Sequence, residues 1–133
     1  MPKPKNTHEQ EDKQFKEQLT GYERRIGDFY EKIRTDDDPV QLINLIESKE
    51  IHCDDKDGLG MCPLIFAVDC GFDIKVVKQL VELGCDPYGV DDNGDTLLHY
   101  AVNLENKELE DFLLTEYNFD KGIKNNDDMT AYQ

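Results

Sequence analysis

The sequence predicts an all-α protein in which short helices pack as successive pairs into a solenoid. Apolar residues recur at alternating intervals of four and three between residues 15 and 33, which is the period of an amphipathic helix. A turn followed by an apolar run also occurs at residues 57–67 and returns 34 residues later, at residues 91–101. A period of this length is typical of helical repeat arrays, in which each unit buries its apolar face against the next.

The N-terminal part of the chain, residues 1–34, is predicted to be a tail followed by a capping helix. Residues 1–7 are polar and are expected to be flexible, whereas residues 8–34 carry the helical period. Gly21 and Gly27 lower the helical propensity locally, so one long helix and two shorter helices both remain open. The apolar residues of this segment are Phe15, Leu19, Tyr22, Ile26, Phe29 and Ile33.

A further helix is predicted to begin at Pro39. Asp38 precedes it, and its carboxylate can accept a hydrogen bond from a free N–H group of the first turn. Proline suits the first helical position because it has no N–H group to leave unpaired. The helix is strongly apolar and carries Val40, Leu42, Ile43, Leu45 and Ile46.

The stretch at residues 91–101 combines a turn, a helix cap and an apolar helix face. Asn93-Gly94 is a turn dipeptide, since glycine takes positive φ without steric cost. Thr96 follows where its hydroxyl can cap a new helix. The apolar face of that helix begins with Leu97, Leu98 and Ala101.

This stretch resembles the start of an ankyrin repeat, whose pattern is Asp-x-x-Gly-x-Thr-Pro-Leu-His-x-Ala, and it has Leu97 in place of the proline. The upstream copy has the proline as Pro63, but it carries Cys62 instead of threonine and Ile65 instead of histidine. A third turn begins at Asn125, and the sequence ends at residue 133, before helices could follow. The resemblance implies stacked helix pairs with short hairpin-like loops on one side and a concave face that holds other proteins.

The resemblance predicts that residues 35–133 form an ankyrin repeat domain. Its first repeat is degenerate and overlaps the capping helix. The predicted repeats cover residues 26–56, 57–90 and 91–124, with a truncated repeat at 125–133.

The charge of the chain bears on its partners. With 30 acidic and 15 basic residues, the formal net charge is −15. This balance argues against nucleic acid or an anionic membrane as the main partner. A basic segment of another protein is the more natural partner, and we expect a monomer or weak self-association.

The N-terminus lacks the apolar core of a signal peptide, and no stretch approaches the roughly 18 apolar residues of a membrane span. We therefore expect a cytoplasmic protein, with a nuclear location left open. Its cysteines are expected to be reduced thiols, and their spacing contains no Cys-x-x-Cys pair for structural zinc. They are Cys53, Cys62, Cys70 and Cys85.

Two groups of residues resemble chemical sites, and each lacks a part that its chemistry requires. Asp55 and Asp57 mimic part of a calcium loop, but that loop needs oxygen ligands at its first and twelfth positions, where this chain has Cys53 and Leu64. His99 lies near two aspartates without a nucleophile or substrate pocket, and in the ankyrin pattern this histidine bonds neighbouring turns. We therefore expect no catalytic residue, no cofactor and no metal, and interpret the aspartates as turn formers.

The candidate site is a surface. In ankyrin repeats the position after the Pro-Leu-His block faces the concave groove, and the resemblance places Phe66 and Tyr100 there as aromatic anchors. Asp69 and Asn103 follow three residues later on the same helices. The loop tips add the acidic residues Asp54, Asp55, Asp92 and Asp95. The alternative is that the two aromatic residues pack between helices and the acids only keep the domain soluble.

The sequence therefore predicts a non-enzymatic module that binds a basic or mixed basic and apolar segment of a partner protein on its concave face. The alternative is a regulatory ankyrin domain of a larger enzyme or of a lipid-binding or acyl-CoA-binding protein. Residues 29–71 resemble the start of the ankyrin tail that some acyl-CoA-binding proteins carry.

Overall fold

The computed structural model describes residues 21–133 of the chain, and that part contains six α-helices and no strand. The predicted all-α class is thus confirmed. None of the helices in this range is both long and apolar enough to cross a membrane. The helices are α1 (Gly21–Asp36), α2 (Pro39–Glu47), α3 (Pro63–Asp69), α4 (Ile74–Glu82), α5 (Leu97–Asn103) and α6 (Lys107–Glu116).

Helix α1 contains the described part of the predicted capping helix and passes through Gly27 without a break. Its buried face consists of Ile26, Tyr30 and Ile33, which lie three or four residues apart as the sequence period requires. This face packs on α2. The predicted helical positions from residue 8 to residue 20, including Phe15 and Leu19, lie outside the described residues.

Short polar side chains cap most of the helices. Asp38 accepts a hydrogen bond from the backbone N–H of Val40 at 3.1 Å, with Pro39 at the first helical position, as predicted. Thr96 and His99 form a reciprocal capping box at the start of α5. Caps of this kind stabilise a helix by roughly 1 kcal/mol each. Helix α3 follows Cys62, which makes no side-chain cap.

The helices pack as antiparallel pairs that stack on one another. Contacts within pairs join α1 to α2, α3 to α4 and α5 to α6, and contacts between pairs join α3 to α5 and α2 to α4. Helix α3 is the centre of the core, since Pro63 and every residue from there to Val68 is buried. A helix that is apolar all round must be enclosed on all sides. One continuous apolar core results, running from Ile26 to Ala131.

Three turns with the same hydrogen bonding follow one another at intervals of 34 residues. Each begins with an Asp or Asn whose Oδ1 accepts from the backbone N–H groups two and four residues further on. The structure confirms that these residues are turn formers. The acceptors and donors are Asp57 with Leu59 and Met61, Asp91 with Asn93 and Asp95, and Asn125 with Asp127 and Met129, all between 2.9 and 3.1 Å.

The turns also contact one another, and glycine makes that approach sterically feasible. The backbone N–H of Asn126 donates to the carbonyl oxygen of Asn93 at 2.9 Å. Gly94 has a φ of 78°, and a Cβ there would lie 2.8 Å from the backbone N of Asn126. Gly60, with a φ of 80°, is equally close to the turn that follows it, 2.7 Å from the backbone N of Asp92. The turns therefore form a ladder in which no side chain fits at these two positions.

The prediction of four reduced thiols is wrong for one pair. Cys53 and Cys85 form a disulfide, with their Cα atoms 4.9 Å apart and a sequence separation of 32. The fold brings them together because each lies in the loop that follows one of two packed helices, α2 and α4. Cys62 and Cys70 are free. Cys62 is buried in the core, as expected of a small apolar group.

Candidate functional site

A pocket of about 250 Å³ opens where α3 and α5 lie side by side. Its lining is acidic and polar, with one aromatic and one aliphatic side chain. Four of the eight residues predicted for the site line this pocket, namely Asp69, Asp95, Tyr100 and Asn103. The remaining lining residues are Asp91, Asn93 and Leu104, so no basic residue lines it.

The repeat places the pocket between two consecutive units. Asp69 is the last residue of α3, and Asn103 is the last residue of α5, 34 positions further along the chain. Tyr100 lies one turn before Asn103, so both project from the same helix face. The turn that contains Asp91 and Asp95 closes the pocket at its other edge.

Tyr100 is held by a short hydrogen bond. Its hydroxyl donates to Oδ2 of Asp91 at 2.5 Å, while Oδ1 of the same carboxylate organises the turn. Burial, reinforced by the hydrogen bond to Asp91 and by the nearby charges of Asp69 and Asp95, raises the pKa of Tyr100 well above its usual value. The phenol therefore stays protonated above the pH at which an exposed tyrosine ionises, and its hydroxyl remains bonded to Asp91.

The two carboxylates on either side of Tyr100 each have one oxygen engaged. Asp69 accepts from the guanidinium of Arg34 at 3.1 Å, and its side chain is 31% exposed. Asp95 accepts from the side-chain amide of Asn125 at 2.7 Å and is half-buried. Both acids therefore reach solvent and can accept hydrogen bonds from a further donor.

Phe66 does not belong to this surface, and its prediction as an exposed anchor is wrong. The ring is fully buried. It stacks on Tyr30 of α1, with ring centroids 4.0 Å apart, and meets Phe72 edge-on. Helix α1 covers the place where the resemblance put a groove, so the alternative of packing between helices holds for this residue.

The acidic residues predicted at the loop tips differ in their exposure. Asp55 is buried, with 8% of its surface exposed, and accepts a hydrogen bond from the backbone N–H of His52 at 2.8 Å. Its prediction as an exposed binding charge is wrong, because its carboxylate organises its own loop. Asp54 and Asp92 are exposed but do not line the pocket.

Three lining residues were not predicted for the site. Asp91 was interpreted as a turn former alone, although its second carboxylate oxygen also holds Tyr100. Leu104 follows Tyr100 by four residues, so the helical period could have placed it on the same face. Asn93, in the neighbouring turn, carries no sequence signal that points to the pocket.

A second groove lies between α1 and α2 and has a volume of about 390 Å³. Phe29, Ile33 and Leu45 form its apolar floor, and polar side chains form its rim. Over residues 21–133 no three side chains of His, Cys, Asp or Glu are grouped so that they could hold a metal ion.

Helix pairs joined by turns 34 residues apart define a helical repeat protein. A family model described as ankyrin repeats, in three copies, matches residues 34–125. The chain belongs to the ankyrin repeat family. Proteins of this family generally mediate protein–protein interactions and are typically non-catalytic.

A putative ankyrin repeat protein of Acanthamoeba polyphaga mimivirus is similar to part of the chain. The two are 33% identical over 75 residues, which are 56% of this chain and 10% of that protein. The chain thus matches about a tenth of the length of this curated relative.

Proposed function

We propose that this protein binds a basic segment of another protein, with the pocket between α3 and α5 as the centre of the contact. The observation that carries the proposal is the lining: Asp69, Asp91 and Asp95 surround Tyr100, none of the lining residues is basic, and of the three acids Asp69 is paired with Arg34. A cationic side chain is the complementary ligand for such a lining. The family's general role in protein–protein interaction supports a protein as the partner.

Lysine and arginine suit the pocket for two reasons. Their charged ends would meet the exposed oxygens of Asp69 and Asp95, which already accept from an arginine and an amide. Their methylene stems would pack on the ring of Tyr100 and on Leu104, which is 46% exposed. Asn103 at the rim would contribute an amide to the partner's backbone.

The exposed charges outside the pocket have a different role in this proposal. Asp54 and Asp92 lie in the exposed loops and add to a net charge of −15. Such charges accelerate the approach of a basic partner, and salt screens their effect. They therefore contribute to the association rate more than to the lifetime of the complex.

A displayed library of random peptides tests the proposal directly, because it selects ligands by sequence and needs no purified partner. We expect the wild-type protein to enrich peptides in which Lys or Arg is flanked by apolar residues. The Asp69→Asn/Asp95→Asn variant should lose that enrichment. The matched control is Glu47→Gln/Glu108→Gln, which removes the same charge at two exposed positions outside the pocket.

The outcomes separate the pocket from general charge. Equal enrichment by the Asp69→Asn/Asp95→Asn variant and the control would remove the pocket from the binding site. Enrichment of apolar peptides that is lost in a Leu45→Ser variant would instead move the site to the groove between α1 and α2. The regulatory alternative, a domain within a larger enzyme or lipid-binding protein, stays a prediction.

A further inference from the structure

We propose that Cys53 and Cys85 are a reversible redox site that exchanges with low-molecular-weight thiols, and that Cys53 is the sulfur attacked first. The Cα atoms lie 4.9 Å apart, within the usual range for disulfides. The packing of helices α2 and α4 on each other brings together the two loops that carry these cysteines.

The loop around each cysteine is fixed by its own hydrogen bonds. The backbone N–H of Cys85 donates to the carbonyl oxygen of Leu80 at 3.0 Å, just after α4 ends. On the other side, the N–H of Ile51 donates to the carbonyl oxygen of Leu45, and Asp55 holds the N–H of His52. Both backbones are therefore positioned before the sulfurs meet, which favours closure of the pair over reaction with separate partners.

The two sulfurs differ in access. Cys85 is 3% exposed and belongs to the apolar core, whereas Cys53 is half-buried. Thiol–disulfide exchange requires a thiolate to reach the sulfur that it attacks. An incoming thiolate therefore reaches Cys53, and Cys85 is the group that leaves.

The exchange balances with glutathione as the co-reactant. A glutathione thiolate bonds to the sulfur of Cys53, the bond to Cys85 breaks, and Cys85 leaves as a thiolate that takes up a proton. A second glutathione thiolate then attacks the glutathione sulfur of this mixed disulfide and releases Cys53 as a thiolate. One protein disulfide and two reduced glutathiones thus give two protein thiols and one oxidised glutathione, and oxidation is the reverse.

The negative charge beside the two cysteines should make the rate of reduction depend on the charge of the small thiol. Asp54 follows Cys53 and Asp86 follows Cys85, and both aspartates are exposed. An anionic thiol such as glutathione is repelled there, whereas cationic cysteamine is attracted. We expect cysteamine to reduce the pair faster than glutathione at low salt, with a difference that shrinks as the ionic strength rises.

The main experiment traps the mixed disulfide. Folded Cys85→Ser protein is treated with oxidised glutathione and mapped by peptide mass spectrometry, and we expect one glutathione on Cys53. Folded Cys53→Ser protein, treated in the same way, should leave Cys85 unmodified. In denaturant both variants should be modified at the same rate, which shows that access and not intrinsic reactivity separates them. Equal modification of Cys85 in the folded Cys53→Ser variant would overturn the assignment.

A measurement on the wild-type protein decides the case if a variant does not fold. The protein is equilibrated with graded ratios of reduced to oxidised glutathione, and N-ethylmaleimide is then added together with denaturant so that buried free thiols are blocked as well. We expect blocked Cys53 and Cys85 to appear together as the reduced share rises, while the half-buried free Cys70 follows a separate curve. Independent curves for Cys53 and Cys85 would contradict the proposal. Free thiols at these two residues that persist in the most oxidising mixture would also contradict it.

Discussion

The hydroxyl of Tyr30 donates a hydrogen bond to the carbonyl oxygen of Met61, 3.1 Å away and 31 residues further along the chain. At the other end of the array, Nε2 of His99 makes the equivalent contact to the carbonyl oxygen of Met129 at 2.9 Å. Met61 and Met129 close corresponding turns of the ladder. A tyrosine of the capping helix thus does for the first described turn what the ankyrin histidine does for the last.

Tyr30→Phe tests this contact while it keeps the ring that stacks on Phe66. The variant should lose about 1 kcal/mol of unfolding free energy, because the carbonyl oxygen of Met61 loses the phenol and keeps only the backbone N–H of Asp57 as a donor, at 3.3 Å. Urea denaturation of wild type and variant measures the difference. Tyr22→Phe, at a residue that is 48% exposed, is the control and should change stability little. An unaltered midpoint for Tyr30→Phe would show that this hydrogen bond contributes no net stability.

Gly60→Ala should destabilise the protein more than Gly71→Ala does. Both glycines have a positive φ, 80° and 77°, so both substitutions carry a strain of about 1–2 kcal/mol. Only at Gly60 would the added Cβ also collide with the backbone of Asp92, whereas nothing lies within 4 Å at Gly71. Thermal melting of the two variants isolates the ladder contact, and equal shifts in the melting temperature would argue against close stacking of the turns.

Phe66→Leu should reduce stability and leave peptide affinity unchanged. Loss of the stacked pair and the small cavity left behind should cost about 1–2 kcal/mol. Tyr100→Leu should show the opposite pattern, with weaker binding of the library-selected peptides and a smaller change in stability. Denaturation and fluorescence titration of both variants provide the comparison. Weaker binding by a folded Phe66→Leu protein would return this residue to the binding surface.

Stability should fall as the pH rises above about 10, where tyrosine in an unfolded chain ionises. Burial raises the pKa of Tyr30 and Tyr100, and burial with a hydrogen bond to Glu110 raises that of Tyr132 to about 12. The folded state therefore keeps protons that the unfolded state loses, so the stabilisation is complete below pH 10 and disappears as the pH approaches the folded-state values. Melting temperatures between pH 8 and 11 measure the slope, which Tyr100→Phe should reduce.

The repeat register could be predicted because the turn chemistry is local. Asp91 and Gly94 act within a few residues of each other, so their spacing alone indicates the turn. The burial of Asp55 was equally local and could have been found, since its carboxylate caps a backbone N–H only three residues away.

Other features depend on contacts between distant segments. Phe66 is covered by Tyr30 of the capping helix α1, so the rule that assigns this repeat position to the concave groove placed it on the wrong surface. The pairing of Cys53 with Cys85 follows from the packing of α2 on α4, and no spacing in the sequence predicts it. For the pocket, the resemblance to the ankyrin repeat indicated Tyr100, and Asn103 followed three residues later on the same helix. The hydrogen bond between Tyr100 and Asp91, in contrast, required the folded structure.

Because successive turns contact each other in the same way, the number of repeats can change without a change in the contacts between them. The backbone N–H of Asp92 donates to the carbonyl oxygen of Leu59, and the backbone N–H of Asn126 donates to that of Asn93. Each turn therefore offers the same backbone groups to the turn that follows it. In-frame duplication of residues 57–90 would add one rung, which a proportional increase in helical circular dichroism would detect. Unequal recombination between such segments would change the length of the array in whole repeats, while an insertion of one residue inside a helix would disrupt its packing.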